Sequence, residues 1–408
     1  PVSEATLDAD TLQEFRGRLR GTTIVPGDPG YDEVRAVRNG LINRHPALIA
    51  RCSGVADVVD CVNFARDYNL LLSVRGGGHN VAGNAVNDGG VVIDLSEMRG
   101  VHVDPAARTA RAGGGAIWGD VDRETQLFGL ATPGGAISST GIAGLTLHGG
   151  VGWMRRKYGL SLDNLISVEI VTADGQVRTA SETENADLFW AVRGAGSNFG
   201  VVTSFEFQLH PVGPLVMLAA PGYALEDAAR VVPAWRDFMA SAPDEISSHL
   251  IFWSVPAVDL FPPELHGRAI VIPAAVYAGP ATEGERALHP LRELAEPLLD
   301  LSHTMPYVDL QSGFDWAFPK GWLYYWKSIY LQGLDDAAIA AIIRFAAERP
   351  SPQALIALWH HGGAMTRVAA TETAFGSRAA PYLLSFDTTW IDPVDTERAV
   401  AWTRDAWT

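Results

Sequence analysis

The sequence predicts an α+β protein of two domains, and three observations carry that prediction. The chain opens with strand, helix and strand patterns that run straight into a glycine turn. Its 41 glycines are clustered, mostly before residue 201. Composition then changes at Pro211-Val212-Gly213-Pro214, after which glycine thins out and tryptophans and longer helical patterns appear. A boundary near residue 213 divides the 408 residues into 1–213 and 214–408, each long enough to bury a core.

The elements follow from periodicity. Residues 9–20 have helical spacing, with Leu12, Phe15 and Leu19 on one face. Residues 21–45 read as loop, broken by Pro26, Gly27, Pro29 and Gly30. Residues 47–52 form a buried strand, 54–68 a helix and 70–74 the next strand. Another strand covers 91–95. Residues 101–104 and 109–112 pair as a hairpin around Pro105, and 116–129 are helical. Residues 166–172 and 176–179 flank Asp174-Gly175, which signals a type I′ hairpin. A short helix spans 187–192 and an alternating strand 201–209. Beyond the boundary, 224–240 and 335–348 read as amphipathic helices. Residues 250–255, 268–277, 323–331, 354–360 and 382–390 read as strands.

The charge balance excludes several classes. With 47 acidic and 31 basic side chains the net charge is −16, which repels nucleic-acid phosphates and anionic membranes alike. No apolar run is long enough to span a bilayer. Pro1 to Thr6 lack a basic segment followed by an apolar one, so no signal peptide is read and a cytoplasmic location is expected. Cys52 and Cys61 cannot make a disulfide framework and are expected to be buried thiols.

Glycine carries the functional signal. The clusters are Arg75-Gly76-Gly77-Gly78-His79-Asn80, Gly113 to Gly115, Gly134 to Gly152, and Gly194 to Gly200. Without Cβ atoms, successive backbone N–H groups can converge on one anion at close range. A triple glycine alone is as well explained by a turn needing positive φ. Two backbone-dense loops, however, suit a long dinucleotide laid between two subdomains, with its pyrophosphate on the amides. No complete G-x-G-x-x-G occurs: Gly76-Gly77-Gly78 fails at Val81, and Gly150-Val151-Gly152 fails at Arg155. P-loop, H-E-x-x-H, C-x-x-C and G-x-S-x-G motifs are also missing. The adjacent His360 and His361 read as structural.

These residues carry a resemblance. Val74 to Asn80, followed by Asn87-Asp88-Gly89-Gly90-Val91-Val92-Ile93-Asp94-Leu95, resembles the FAD-binding domain of the vanillyl-alcohol oxidase (PCMH-type) superfamily. Within it the chain is most similar to the berberine-bridge-enzyme-like and 6-hydroxy-D-nicotine oxidase-like FAD-linked oxidases. Ser138 to Gly144, His148 to Trp153 and Arg156 to Asn164 resemble the family's second FAD loop, and Asp187 to Gly196 its next segment. The resemblance is continuous over about 40–210 and resumes at Gly362-Gly363 through Trp390.

The resemblance implies a PCMH-type FAD-binding domain of two subdomains, followed by a substrate (cap) domain with an antiparallel sheet and helices. It implies FAD, bonded covalently through His79 to the flavin C8 methyl. Ile137 stands where many relatives carry a second linking cysteine, so His79 is expected to make the only covalent bond. Arg75, Gly76, Gly77, Gly78, His79, Asn80, Gly83, Gly135, Ser138, Ser139, Thr140, Gly141, Gly144, His148, Gly152, Tyr158 and Ile166 are expected around the cofactor. Thr140 matches a position that gates dioxygen in relatives. Tyr158 is a candidate base or a tyrosine packed on the ring. Ser385 stands where plant relatives place a Gln or Glu, and serine is a poor base. Asp387, on the same strand face, is the alternative base, or else a hydrogen-bonded strand carboxylate. Trp316, Trp322, Tyr324, Tyr325 and Trp326 either line an aromatic pocket or belong to the core.

Relatives also return to the FAD domain through a C-terminal segment, which is expected to be absent or truncated in a chain ending at Trp407-Thr408. The implied reaction takes a hydride from a C–H beside O or N to flavin N5, with dioxygen reoxidising the flavin to give peroxide. The partners are then a small-molecule substrate and dioxygen, without a metal. A dehydrogenase using another acceptor, or a carrier without redox turnover, are the alternatives.

Overall fold

The computed structural model describes residues 8–408; the Pro1–Thr6 stretch read for a leader lies outside them. The first sheet has four strands in the order Thr22–Ile24, Leu48–Arg51, Val91–Asp94, Leu72–Arg75. Leu48–Arg51 and Leu72–Arg75 both pair in parallel with Val91–Asp94. The helix Val55–Asp67 makes the crossover and buries Val58, Cys61, Val62 and Ala65 against Leu48, Ala50, Val91 and Ile93. Parallel strands need such a crossover, which is why the strand–helix–strand pattern was readable. Both cysteines are free and buried.

Residues 21–45 are not all loop. Thr22–Ile24 pairs antiparallel with Leu48–Arg51, and Tyr31–Arg35 is a short helix capped by Gly30 at φ 79°. A three-residue strand has no period of its own; its partner, more than 20 residues away, makes it one.

The second sheet is antiparallel, in the order Val101–Asp104, Thr109–Gly113, Val201–Gln208, Leu165–Val171, Val177–Ser181. Its inner face packs Val168, Ile170, Phe205 and Phe207 against Trp118 and Val121 of the helix Trp118–Gln126. The Asp174-Gly175 hairpin forms, but not as type I′. Gly175 N–H closes on the Thr172 carbonyl at 2.8 Å, and only Gly175 takes positive φ, at 78°. A type I′ turn needs both central residues there; Asp174 avoids that cost by letting the next glycine bulge instead.

Beyond residue 213 lies a nine-stranded sheet whose strand pairs are all antiparallel. Its long strands are Ala269–Tyr277, Ile246–Ser254, Leu355–His360, Tyr382–Trp390 and, at one edge, Leu323–Leu331, on the five runs read as strands. Strand alternation sorts its side chains onto two faces. On one, Leu250, Phe252, Ile356, Leu358, Leu384 and Phe386 lie under the helices Ala228–Ser241, Asp336–Ala347 and Thr396–Trp407. On the other, Ile251, Ile272, Ala274, Leu355 and Ala357 face Trp153 and Met154 of the second glycine-rich segment.

Two arginines hold that segment to the sheet through its backbone. Arg155, fully buried, donates to the carbonyls of Gly152 (2.9 Å), His360 (2.8 and 3.0 Å) and Ser248. Arg156 donates to the carbonyls of Ile246 at 2.9 Å and Ala242 at 3.0 Å. Among the described residues no helix is long and apolar enough to cross a membrane.

Candidate active site

The first sheet aims its glycine turn at the second glycine segment. A Cβ on Gly77 would lie 2.3 Å from the Gly141 nitrogen, and one on Gly141 would lie 2.3 Å from the Gly77 nitrogen. The two loops therefore touch backbone to backbone, and neither side can yield. Gly77→Ala is expected to purify largely colourless and to lose about 1–3 kcal/mol of stability, because overpacking here pushes on main chain rather than on a movable side chain. The ratio of visible to ultraviolet absorbance, with a thermal melt, checks this.

Next to that contact sits His79. Its Nε2 lies 2.9 Å from Arg38 Nη1 and 3.2 Å from Ser139 Oγ, and its Nδ1 lies 3.3 Å from Thr140 Oγ1. Burial, together with the Arg38 charge, pushes the His79 pKa down to about 3. The imidazole is thus neutral, with a lone pair available for bonding. Burial also lowers the Arg38 pKa.

The remaining expected cofactor residues divide. Gly135, His79 and Thr140 line a cavity, as does Ile137. Ser138 donates through its amide (2.8 Å) and hydroxyl to Asp315, a residue from beyond the boundary. Asn80 Oδ1 accepts from the Asn84 amide at 3.1 Å, and Gly83 takes φ 76° against Ile42. Gly152 approaches the Gly134 carbonyl as closely as only glycine can. Gly144 accepts from His148 Nδ1 at 2.8 Å, while His148 Nε2 meets Ser197 at 3.2 Å. Ile166 is half-buried on its strand, and Gly76 and Gly78 flank the Gly77 contact. Arg75 is spent elsewhere: its guanidinium pairs with Asp94 at 2.6 Å, leaving only backbone to face a cofactor.

The cavity has a volume of about 690 Å³ and lies between the glycine loops and the open face of the nine-stranded sheet. Trp153, Trp253, Trp316, Tyr324, Trp326 and Trp359 supply most of its aromatic wall. Trp316, Tyr324 and Trp326 are thus pocket residues, while Trp322 and Tyr325 are not among its walls. Tyr158 also stands off this wall. Its ring stacks on His210 at 4.0 Å and its hydroxyl points to the Pro211 carbonyl at 3.4 Å. Asp387 does face the cavity, between Trp326 and Leu355 in register. Burial raises its pKa from 3.8 to about 6, against a lowering contribution from the Ser385 hydroxyl. Ser385 therefore serves the carboxylate beside it.

The site fits a flavin dinucleotide on its own terms: backbone-to-backbone glycine loops for the diphosphate, a neutral imidazole beside them, and a large apolar space for a ring. A family model described as an FAD binding domain matches residues 46–181. Over 394 residues the chain is 30% identical to an FAD-linked oxidoreductase of Bacillus subtilis, covering 94% of this chain and 84% of that one.

The chain is an FAD-linked oxidoreductase.

Residues of this oxidoreductase are also 48% identical over 201 positions to (R)-6-hydroxynicotine oxidase of Paenarthrobacter nicotinovorans, across 49% of this chain and 44% of that one. Its fold matches the solved 6-hydroxy-D-nicotine oxidase of Arthrobacter nicotinovorans with a TM-score of 0.81 at 30% identity, over 95% and 86% of the two chains. It matches berberine-bridge-enzyme-like protein 1 of Physcomitrella patens with a TM-score of 0.87 at 24% identity, over 97% and 87%.

Sequence reasoning missed Arg38, His249, Gln311 and Asp315. Arg38 stands in the stretch read as loop. Gln311 Nε2 reaches the Gly135 carbonyl at 3.0 Å, and Asp315 reaches Ser138 across 177 residues of chain. No local pattern marks such contacts.

Proposed function

We propose that this oxidoreductase oxidises a small molecule at a C–H bond beside an oxygen or nitrogen, with Asp387 as the base and His79 as the flavin tether. The observation that carries the reading is a carboxyl poised near neutrality in the aromatic cavity that His79 also lines. A flavin bound there would supply the hydride acceptor and, with dioxygen as the oxidant, the route to hydrogen peroxide. Asp387 accepts the adjacent O–H or N–H proton, which its carboxylate can do above pH of about 6. Ser385 donates to that carboxylate and keeps it oriented. Tyr158 is left a packing role, since its hydroxyl is turned to Pro211. Burial, with the Arg38 charge beside it, keeps His79 neutral; Arg38 donates a hydrogen bond to Nε2, and Thr140 flanks the other ring nitrogen. The tryptophan walls exclude water and orient a flat substrate.

The test is direct. Acid-precipitated protein is expected to stay yellow, with the mass of one FAD on the peptide holding His79 and no thioether. A colourless pellet ends the covalent reading. In air, substrate is expected to bleach the flavin band and release one peroxide per turnover. Slow reoxidation without peroxide replaces the oxidase with a dehydrogenase that uses another acceptor. No bleaching across alcohols, amines and sugars leaves only a carrier.

A further inference from the structure

One buried carboxyl takes no part in the proposed chemistry and has no cation beside it. The buried carboxylates Asp57 and Asp94 are matched by donors: the amides of Arg20, Gly21 and Ser53 serve the first, and Arg75 pairs with the second. Asp122, 2% exposed in the helix Trp118–Gln126, receives a single hydrogen bond. It comes from beyond the boundary. Gln311, buried in the helix Tyr307–Ser312, brings its Nε2 to 3.1 Å from Asp122 Oδ2. The same nitrogen donates to the Gly135 carbonyl at 3.0 Å. A carbonyl only accepts, so this contact fixes which end of the amide is nitrogen.

Two oxygens are left over. Asp122 Oδ1 and Gln311 Oε1 are both buried without a partner among the described residues. With Asp122 ionised both can only accept, and neither is satisfied. One proton on Oδ1 satisfies both. The carboxyl O–H donates to Oε1 while the amide N–H donates to Oδ2, and a cyclic acid–amide pair closes. Burial agrees, raising the Asp122 pKa from 3.8 to about 7 against a lowering contribution from Gln311. Tyr307 faces the carboxyl and stays neutral, its own pKa pushed well above the ordinary value by burial and then by Asp122. His102, Asp104 and Arg111, on strands packed against this helix, and Asp120, Arg123 and Glu124, on the helix itself, exert no charge effect on it.

The pair ends at the cavity, which Gly135 and Ala136 line. Trans peptide geometry turns the Ala136 N–H opposite to the Gly135 carbonyl, away from Gln311. That N–H makes no hydrogen bond to a described residue. We infer that Asp122 is a positioning residue: as the neutral acid it locks the Gln311 amide, which holds the Gly135–Ala136 peptide so that the Ala136 N–H is kept free for the cavity's occupant. This rests on the cavity being the reaction site, as proposed above. A carboxyl kept neutral by apolar surroundings can donate a hydrogen bond that a carboxylate cannot. Once Asp122 ionises, its charge repels Oε1, the pair opens, and the peptide loses its hold.

Infrared difference spectroscopy of wild type against Asp122→Asn reads the proton directly. It needs no turnover, so a failure of the oxidase reading leaves it interpretable. The wild type is expected to show the carbonyl band of a protonated carboxyl that the variant lacks, fading as pH rises through about 7; Asp387 is common to both and cancels. Asparagine keeps a donor and an acceptor for the Gln311 amide. The folded pKa is raised, so wild-type stability falls as pH rises from about 4 to about 7. The melting temperature of Asp122→Asn is therefore expected to gain on wild type over that range and to keep the gain above it. In the holoprotein the wild-type flavin band is expected to shift as pH crosses about 7, and that of Asp122→Asn to stay in place. Gln311→Leu covers the case of an asparagine variant that does not fold: it is expected to raise the frequency of the carboxyl band, because the acid loses its acceptor. Absence of the protonated-carboxyl band below pH 7 overturns the inference. So does a wild-type flavin band that ignores this pH range, or one that shifts equally in Asp122→Asn, since Asp122 then positions nothing at the cavity.

Discussion

Replacing Asp387 with asparagine is expected to slow substrate reduction of the flavin by about 10²–10⁴-fold, the usual worth of a positioned general base, while the bound flavin and its spectrum stay as they are. Stopped-flow reduction measures it. In the wild type the same rate is expected to fall below a pH of about 6, where the carboxylate takes up its proton, and to level off above it. The asparagine variant loses that inflection. Stability has the opposite sign. The folded pKa is raised from 3.8, so the folded state keeps a proton that the unfolded chain has released. Wild-type stability therefore declines as pH rises between about 4 and 6. An uncharged side chain escapes this, so Asp387→Asn is expected to melt no lower than wild type at pH 8. An inactive variant that also melts early at pH 8 would mark Asp387 as a strand carboxylate with a structural task.

Asp163→Ala is expected to cost about 3–5 kcal/mol, enough to threaten folding. Asp163 and Arg378 form a bidentate pair at 2.6 and 3.0 Å, with side chains only 8% and 2% exposed. The pair ties the second glycine segment to the stretch after Gly363, and Asp163 also accepts from the Leu160 amide at 2.9 Å. Removing the aspartate strands a buried guanidinium, which cannot shed its charge as a carboxyl can. The double variant Asp163→Leu with Arg378→Met removes both charges and is expected to recover most of the loss. Denaturant unfolding of the single and double variants tests this. Equal destabilisation in both would mean that packing, not the stranded charge, sets the cost.

The elements that were readable beforehand are those whose reasons are local. Strands 323–331 and 382–390 run nine residues each with clear apolar patterning, and both form over those residues. The glycine loops were readable because a missing Cβ is a local chemical fact with one strong use. Short strands such as Pro221–Ala224 and Pro297–Asp300 were not, because each is a strand only through its partner. The site divides along the same line. His79, Ser139 and Thr140 meet because two motifs carry them. Arg38 and His249 enter from segments whose sequence has no motif, placed by a loop and by strand register. Asp387 was readable as a face-mate of Ser385, but its raised pKa comes from burial that only the assembled sheet creates.

The backbone grip of Arg155 and Arg156 has a consequence for traffic. Swinging the two halves of the molecule apart would strand two guanidinium groups and the carbonyls of Ser248, His360, Ile246 and Ala242 at once. A catalytic cycle that had to do so would stall at every exit. The loop between Ser254 and Ala269, where Leu260 is 70% exposed, reaches the cavity through Leu260 and Phe261 without crossing that grip. A path for small molecules past this apolar loop would leave the hinge between the halves latched.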